Sequence, residues 1–161
     1  MTTHHPQRRD AREQAKLDAF LIELCERRIT FNATLGVKVE SLAPPPRLKL
    51  EMRPQLIGHV QSGRLHGGVT SAVLDAAGGF ALMVAIADKH PNDSTEHVAQ
   101  RIGKLGTIDL RVDYLLPGIG AYFIATGEVT RLGGRVGSTQ MRLVNDAGTL
   151  IATAAAAYII S

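Results

Sequence analysis

The chain is 161 residues long, 45% hydrophobic and 20% charged, the size and balance of one globular domain with a sizeable core. Lys and Arg number 18 against 15 Asp and Glu, a net charge of +3. The two signs interleave, which excludes a nucleic-acid footprint, while the mild basic excess suits an anionic small molecule.

Residues 1–9 include His4, His5, Arg8 and Arg9 with no apolar stretch behind them. They form no secretory signal and are expected to be a disordered tail, with a single domain over 10–161. Over 10–30, Leu17, Phe20, Leu21, Leu24 and Cys25 recur at helical spacing, with Glu13, Lys16, Glu23 and Glu26 on the other faces. This predicts an amphipathic N-terminal helix. Cys25 is the only cysteine; without an internal disulfide partner it fits a reducing compartment, and the cytoplasm is expected.

Segments 35–42 and 47–52 read as short strands joined through Pro44-Pro45-Pro46, which cannot continue a ladder. Residues 53–65 carry Pro54, Gly58 and Gly63 without a period and read as a loop. From 67 to 88 the chain is apolar on nearly every face. A helix of that kind must be enclosed, here by a sheet, and Ala76, Ala77, Gly78, Gly79 and Ala81 let it lie close. Asp75 inside the run argues against a membrane span, since a carboxylate at mid-bilayer costs roughly 3 kcal/mol.

Residues 89–103 read as a polar surface connection. Four alternating segments follow, at 104–116, 121–132, 135–145 and 149–160, broken at Pro117-Gly118, Gly133-Gly134 and Asp146-Ala147-Gly148. The order predicts an α+β domain: a curved antiparallel sheet of about six strands wrapped around a central buried helix, with an extra N-terminal helix. Such a sheet leaves edge strands to protect, so a homodimer or homotetramer is expected.

The chemistry concentrates in Leu65-His66-Gly67-Gly68 and Asp75. A helix start offers N–H groups without intrahelical partners and a partial positive charge, and glycines let a carbonyl approach them. Gly68 is the expected oxyanion donor, with Gly67 beside it. Asp75, the one acid in the helix interior, is expected to be largely buried and to serve as general base or nucleophile. His66 is a candidate for the chemistry, although a histidine at a helix entry more often caps backbone groups. No G-x-S-x-G elbow supports a Ser71 triad, and the histidines lack metal-ligand spacing.

The strings LHGGVTSAVLDAAGG, GTIDLRVDYLLPG and RLGGR together resemble the hotdog-fold acyl-CoA thioesterases of the phenylacetate-pathway type, over about 31–160. The resemblance implies hydrolysis of an acyl-CoA or related pantetheine thioester, with no cofactor beyond the substrate's own coenzyme A. It assigns water activation or nucleophilic attack to Asp75 and oxyanion binding to the Gly68 N–H. It also gives Thr107 a water-orienting role, reaching across from a neighbouring subunit. The family's Asn before the glycines has no counterpart in 52–65, leaving Gln55, His59 and Gln61 as polar substitutes. Arg64, Arg131, Gly133, Gly134 and Arg135 are the expected contacts to the coenzyme A phosphates. The alternative is a non-catalytic acyl-CoA-binding module with the same pocket.

Overall fold

The computed structural model describes residues 8–161. Its first helix, α1 (Ala11–Glu23), is capped by Asp10, whose carboxylate accepts the Glu13 N–H at 2.8 Å. The expected single helix over 10–30 is interrupted: α1 runs into a π-helical turn at Leu24–Arg28, and a short α2 (Thr30–Leu35) follows. Leu35, expected to open a strand, instead closes α2, and Gly36 at φ 78° ends it in the left-handed conformation that favours glycine.

The strands β1 (Lys38–Ser41) and β2 (Arg47–Glu51) flank the three prolines. The segment read as a loop contains a 3-10 turn at Pro54–Leu56 and a small hairpin of β3 (Ile57–His59) and β4 (Arg64–Leu65). Then come the central helix α3 (Gly67–Lys89), a short α4 (Thr95–Ile102), and the long strands β5 (Gly106–Tyr114), β6 (Tyr122–Leu132), β7 (Val136–Asn145) and β8 (Leu150–Ile159).

Helix α4 corrects the reading of 89–103 as a plain connection. Ser94 caps it, and Val98 and Ile102, one turn apart, are buried. The tail assignment changes too. Residues 1–7 lie outside the described residues, but Arg9 is pinned: its guanidinium donates to the carbonyls of Ala87, His90 and Asp93 at 2.8, 2.6 and 3.0 Å. A cation on the final carbonyls of α3 satisfies both their hydrogen bonding and the helix dipole.

Six strands form one antiparallel sheet in the order β1-β2-β6-β7-β8-β5. Its inner face carries Leu48, Leu50, Phe123, Ala125, Met141, Leu143, Ala152, Ala154 and Ala156, packed on Val73, Leu74, Ala77, Phe80 and Leu82 of α3. The sheet also makes room for the helix. A Cβ on Gly127 would strike the Ala77 carbonyl, and one on Gly137 would lie 2.5 Å from Leu82. α3 is long and apolar enough to cross a membrane by composition, yet 67% of that stretch is buried inside the domain. It is a core helix.

Candidate active site

The first turn of α3 is built by short-range contacts. His66 is the N-cap, with extended backbone, and its Nδ1 accepts the Gly68 N–H at 2.9 Å. Nδ1 is therefore the unprotonated nitrogen, and His66 has the capping role that its position favoured. Tyr114 donates its hydroxyl to the Gly67 carbonyl at 2.9 Å. Both ends of the Gly67–Gly68 peptide are thus held in place.

The two glycine amides therefore differ in availability. The Gly68 amide is engaged by His66, while the Gly67 N–H, first in the helix, has no partner among the described residues. The turn is fixed from outside by the His66 N–H donating to the Leu56 carbonyl at 2.8 Å, and by Gly58, where a Cβ would sit 2.6 Å from His66 Cα. Arg64 lies at this end, in a cleft of about 380 Å³ shared with Gly67, Thr70, Tyr114 and Leu116.

Asp75 lies about two turns further along. It is half-buried rather than enclosed. Its Oδ1 accepts from the Thr107 hydroxyl at 2.9 Å within the same chain, so Thr107 does not need a neighbouring subunit to reach it. Asp75 and Thr107 open onto a cavity of about 210 Å³ with apolar walls that include Ile29, Ala76, Phe80, Met83 and Leu105.

Four lining residues, Cys25, Ile29, Phe31 and Asn32, come from the broken N-terminal helical segment, and none of them was expected at the site. Cys25 is buried at the π-turn, and desolvation, reinforced by the Glu26 charge, pushes its thiol up to about 12. Asn32, on α2, donates its amide to the Cys25 carbonyl at 3.0 Å. It lies well before 52–65, where the family Asn was expected, and nothing in Phe31-Asn32-Ala33 marks it as facing α3.

The remaining candidates lie elsewhere. His59 and Gln61 occupy the exposed turn of the β3–β4 hairpin, where His59 Nδ1 is 3.0 Å from the Ser62 hydroxyl. Gly133 and Gly134 line a cleft of about 250 Å³ with Lys89, His90, Arg101 and Lys104, and Arg101 is ion-paired with Asp93. Arg131 and Arg135 are exposed next to it. Among the described residues, no three His, Cys, Asp or Glu side chains converge as a metal site would require.

Along one helix at 1.5 Å per residue, Gly67 and Asp75 are about 12 Å apart. One reacting carbonyl cannot touch both, since near-attack contacts are about 3–3.5 Å.

Comparison with known proteins agrees with this architecture. Residues 62–152 match the thioesterase superfamily model. Over 131 residues the chain is 36% identical to the medium/long-chain acyl-CoA thioesterase YigI of Escherichia coli, covering 81% of this chain and 84% of that one. A Shewanella oneidensis structure described as related to the thioesterase superfamily superposes with a TM-score of 0.85 at 36% identity, over 92% of this chain and 97% of that one. A point mutant of the phenylacetic acid degradation protein PaaI of Thermus thermophilus gives 0.63 at 24% identity over 82% and 99%, a likeness of fold.

Proposed function

The chain belongs to the thioesterase superfamily, and from that membership we propose that it hydrolyses acyl-CoA, or a related pantetheine thioester, to free acid and thiol, with Asp75 activating the water. The observation that carries this reading is the Asp75 carboxylate, held by Thr107 at the mouth of an apolar cavity.

With Oδ1 occupied by Thr107, Oδ2 is the oxygen left to take a proton from water as that water attacks the thioester carbonyl carbon. Negative charge develops on the carbonyl oxygen, where a helix-start N–H stabilises it. Gly67 supplies the amide that is free, and Gly68 supplies a second only if the His66 cap opens. Collapse of the tetrahedral intermediate breaks the C–S bond. The departing thiolate takes the proton back from Asp75, which restores the carboxylate.

The spacing along α3 supports a site shared between chains, Asp75 from one and Gly67 from another. β5 is a sheet edge, and Ile108, Tyr114, Leu115, Leu116 and Ile119 on and beyond it are exposed. An apolar edge of this kind seeks a partner. An isologous homodimer covers it, and pairs of dimers give a tetramer. The acyl chain enters the cavity beside Asp75, and the coenzyme A phosphates meet Lys89, Arg101, Lys104 and the glycines of the hairpin. The unpaired Cys25 suits the cytoplasm.

The test is a panel of short, medium, long and aromatic acyl-CoAs with released thiol measured, medium and long chains first because the E. coli relative is named for them. Asp75→Asn is expected to lower kcat by about 10²- to 10⁴-fold; hydrolysis at the parent rate would show the mechanism to be wrong. Mixing and refolding Asp75→Asn with Gly67→Val chains is expected to restore about a quarter of parent activity, because half the dimers are mixed and each has one intact site. No recovery would place donor and base on the same chain.

A further inference from the structure

Thr107 and Tyr158 are direct partners in the pairing of β5 with β8, so their side chains project from the same face of the sheet. Both reach Asp75. Thr107 donates to the carboxylate Oδ1 at 2.9 Å, and Tyr158 donates its hydroxyl to the Asp75 backbone carbonyl, also at 2.9 Å. One cross-strand pair therefore grips one helical residue at two points, its side chain and its main chain.

We infer that Tyr158 is a positioning residue for the hydrolysis, fixing the turn of α3 that carries Asp75 while Thr107 fixes the carboxylate. Three further observations fit this role. Tyr158 is only 1% exposed, so its ring has no freedom to leave the helix. Burial, with the Asp75 charge behind it, holds the phenol well above the usual tyrosine range, so the hydroxyl stays a donor. The helix has no side chain where the hydroxyl lies. A Cβ on Gly78 would collide with the Tyr158 oxygen and come within 2.8 Å of Thr139 Oγ1 and 2.9 Å of Met141 Sδ.

The Asp75 carbonyl is the ordinary acceptor for the Gly79 N–H four residues on, and its second lone pair takes the phenol. A helix carbonyl inside an apolar core does not need that second bond to be satisfied. The bond instead ties the helix to β8 at the residue whose carboxylate faces the cavity. Without it, the Asp75 turn can move relative to Thr107, and displacements of about 1 Å at a reacting group can cost about 100-fold in rate.

This inference rests on the Asp75 reading above, and its test separates the two. Tyr158→Phe keeps the ring and removes the donor. Its kcat on the best acyl-CoA of the panel is expected to fall by about 10- to 100-fold with KM changed less than about twofold. Gly78→Ala, which keeps the phenol but displaces it, is expected to lower kcat similarly. It should do so about fivefold less in the Tyr158→Phe background, where one of the colliding atoms is gone.

A lower melting temperature with parent kcat in both single variants would overturn the positioning role and leave Asp75 untouched. Additive losses in the double variant would overturn it as well. If instead Asp75→Asn keeps parent activity, the proposed function fails first. Should Tyr158→Phe not fold, Gly78→Ala alone decides, by whether kcat falls at constant KM.

Discussion

The first turn of α3 and the turn carrying Asp75 belong to one continuous helix, yet they are held by different means. His66, Gly67 and Gly68 are anchored by a histidine cap, an exposed tyrosine hydroxyl and the Leu56 carbonyl at the end of the 3-10 turn. Asp75 is flanked by Val73, Leu74 and Ala77, all essentially inaccessible, and is tied to two strands of the main sheet. The helix start is thus held mainly through polar contacts to local chain, whereas the Asp75 turn is set among core side chains and hydrogen-bonded to the sheet.

The largest effect expected of a variant outside the reacting groups tests whether these are separate units. Gly58→Val forces a branched side chain into the His66 backbone, so the first turn must shift. kcat/KM is expected to fall about 100-fold. Mixed with Asp75→Asn chains, Gly58→Val should recover activity; mixed with Gly67→Val it should not. Tyr158→Phe should behave the opposite way. If both variants complement the same partner, helix start and Asp75 turn act as one unit and the contrast is lost.

A smaller effect probes the wall of the Asp75 cavity. The Cys25 thiol is raised from 9.0 to about 12 in the folded chain, so folding keeps a proton that the unfolded chain releases. The resulting stability is complete below about pH 9 and is lost as pH climbs toward 12, at about 1.4 kcal/mol per pH unit. Urea unfolding at pH 8 and pH 10 should show a drop about 1.4 kcal/mol larger in the parent than in Cys25→Ala. Equal drops would mean that the thiol reaches solvent by local opening, apart from the core that holds the Asp75 turn.

The two units were not equally legible in the sequence. Alternation broken by Gly and Pro gave the long strands to within about two residues, because a half-buried antiparallel strand writes its faces directly. The all-apolar run gave α3, and the glycines with His66 gave its first turn, since capping is local chemistry. The grip on Asp75 was not readable in this way. Tyr158 looks like any inward residue of β8, and only the register of β5 against β8 puts it opposite Thr107. Thr107 itself came from family resemblance. Helix α4 was hidden by its polar composition, since Val98 and Ile102 are a single apolar step. The π-turn was hidden because Leu21 and Cys25 keep helical spacing straight through it.

The smallest expected effect asks whether His66 belongs to the scaffold of the first turn or to its chemistry. Its Nδ1 lone pair is spent on the Gly68 amide, so as a cap it contributes about 1 kcal/mol, and His66→Ala should lower unfolding free energy by about that amount. Asn, a strong N-cap, offers an oxygen in place of Nδ1. His66→Asn should therefore restore most of the stability and, if the cap is all that matters, most of the kcat. Restored stability without restored kcat would mean that the imidazole also touches substrate. The Gly68 amide would then be released during turnover, and the open end of the helix would hold two donors.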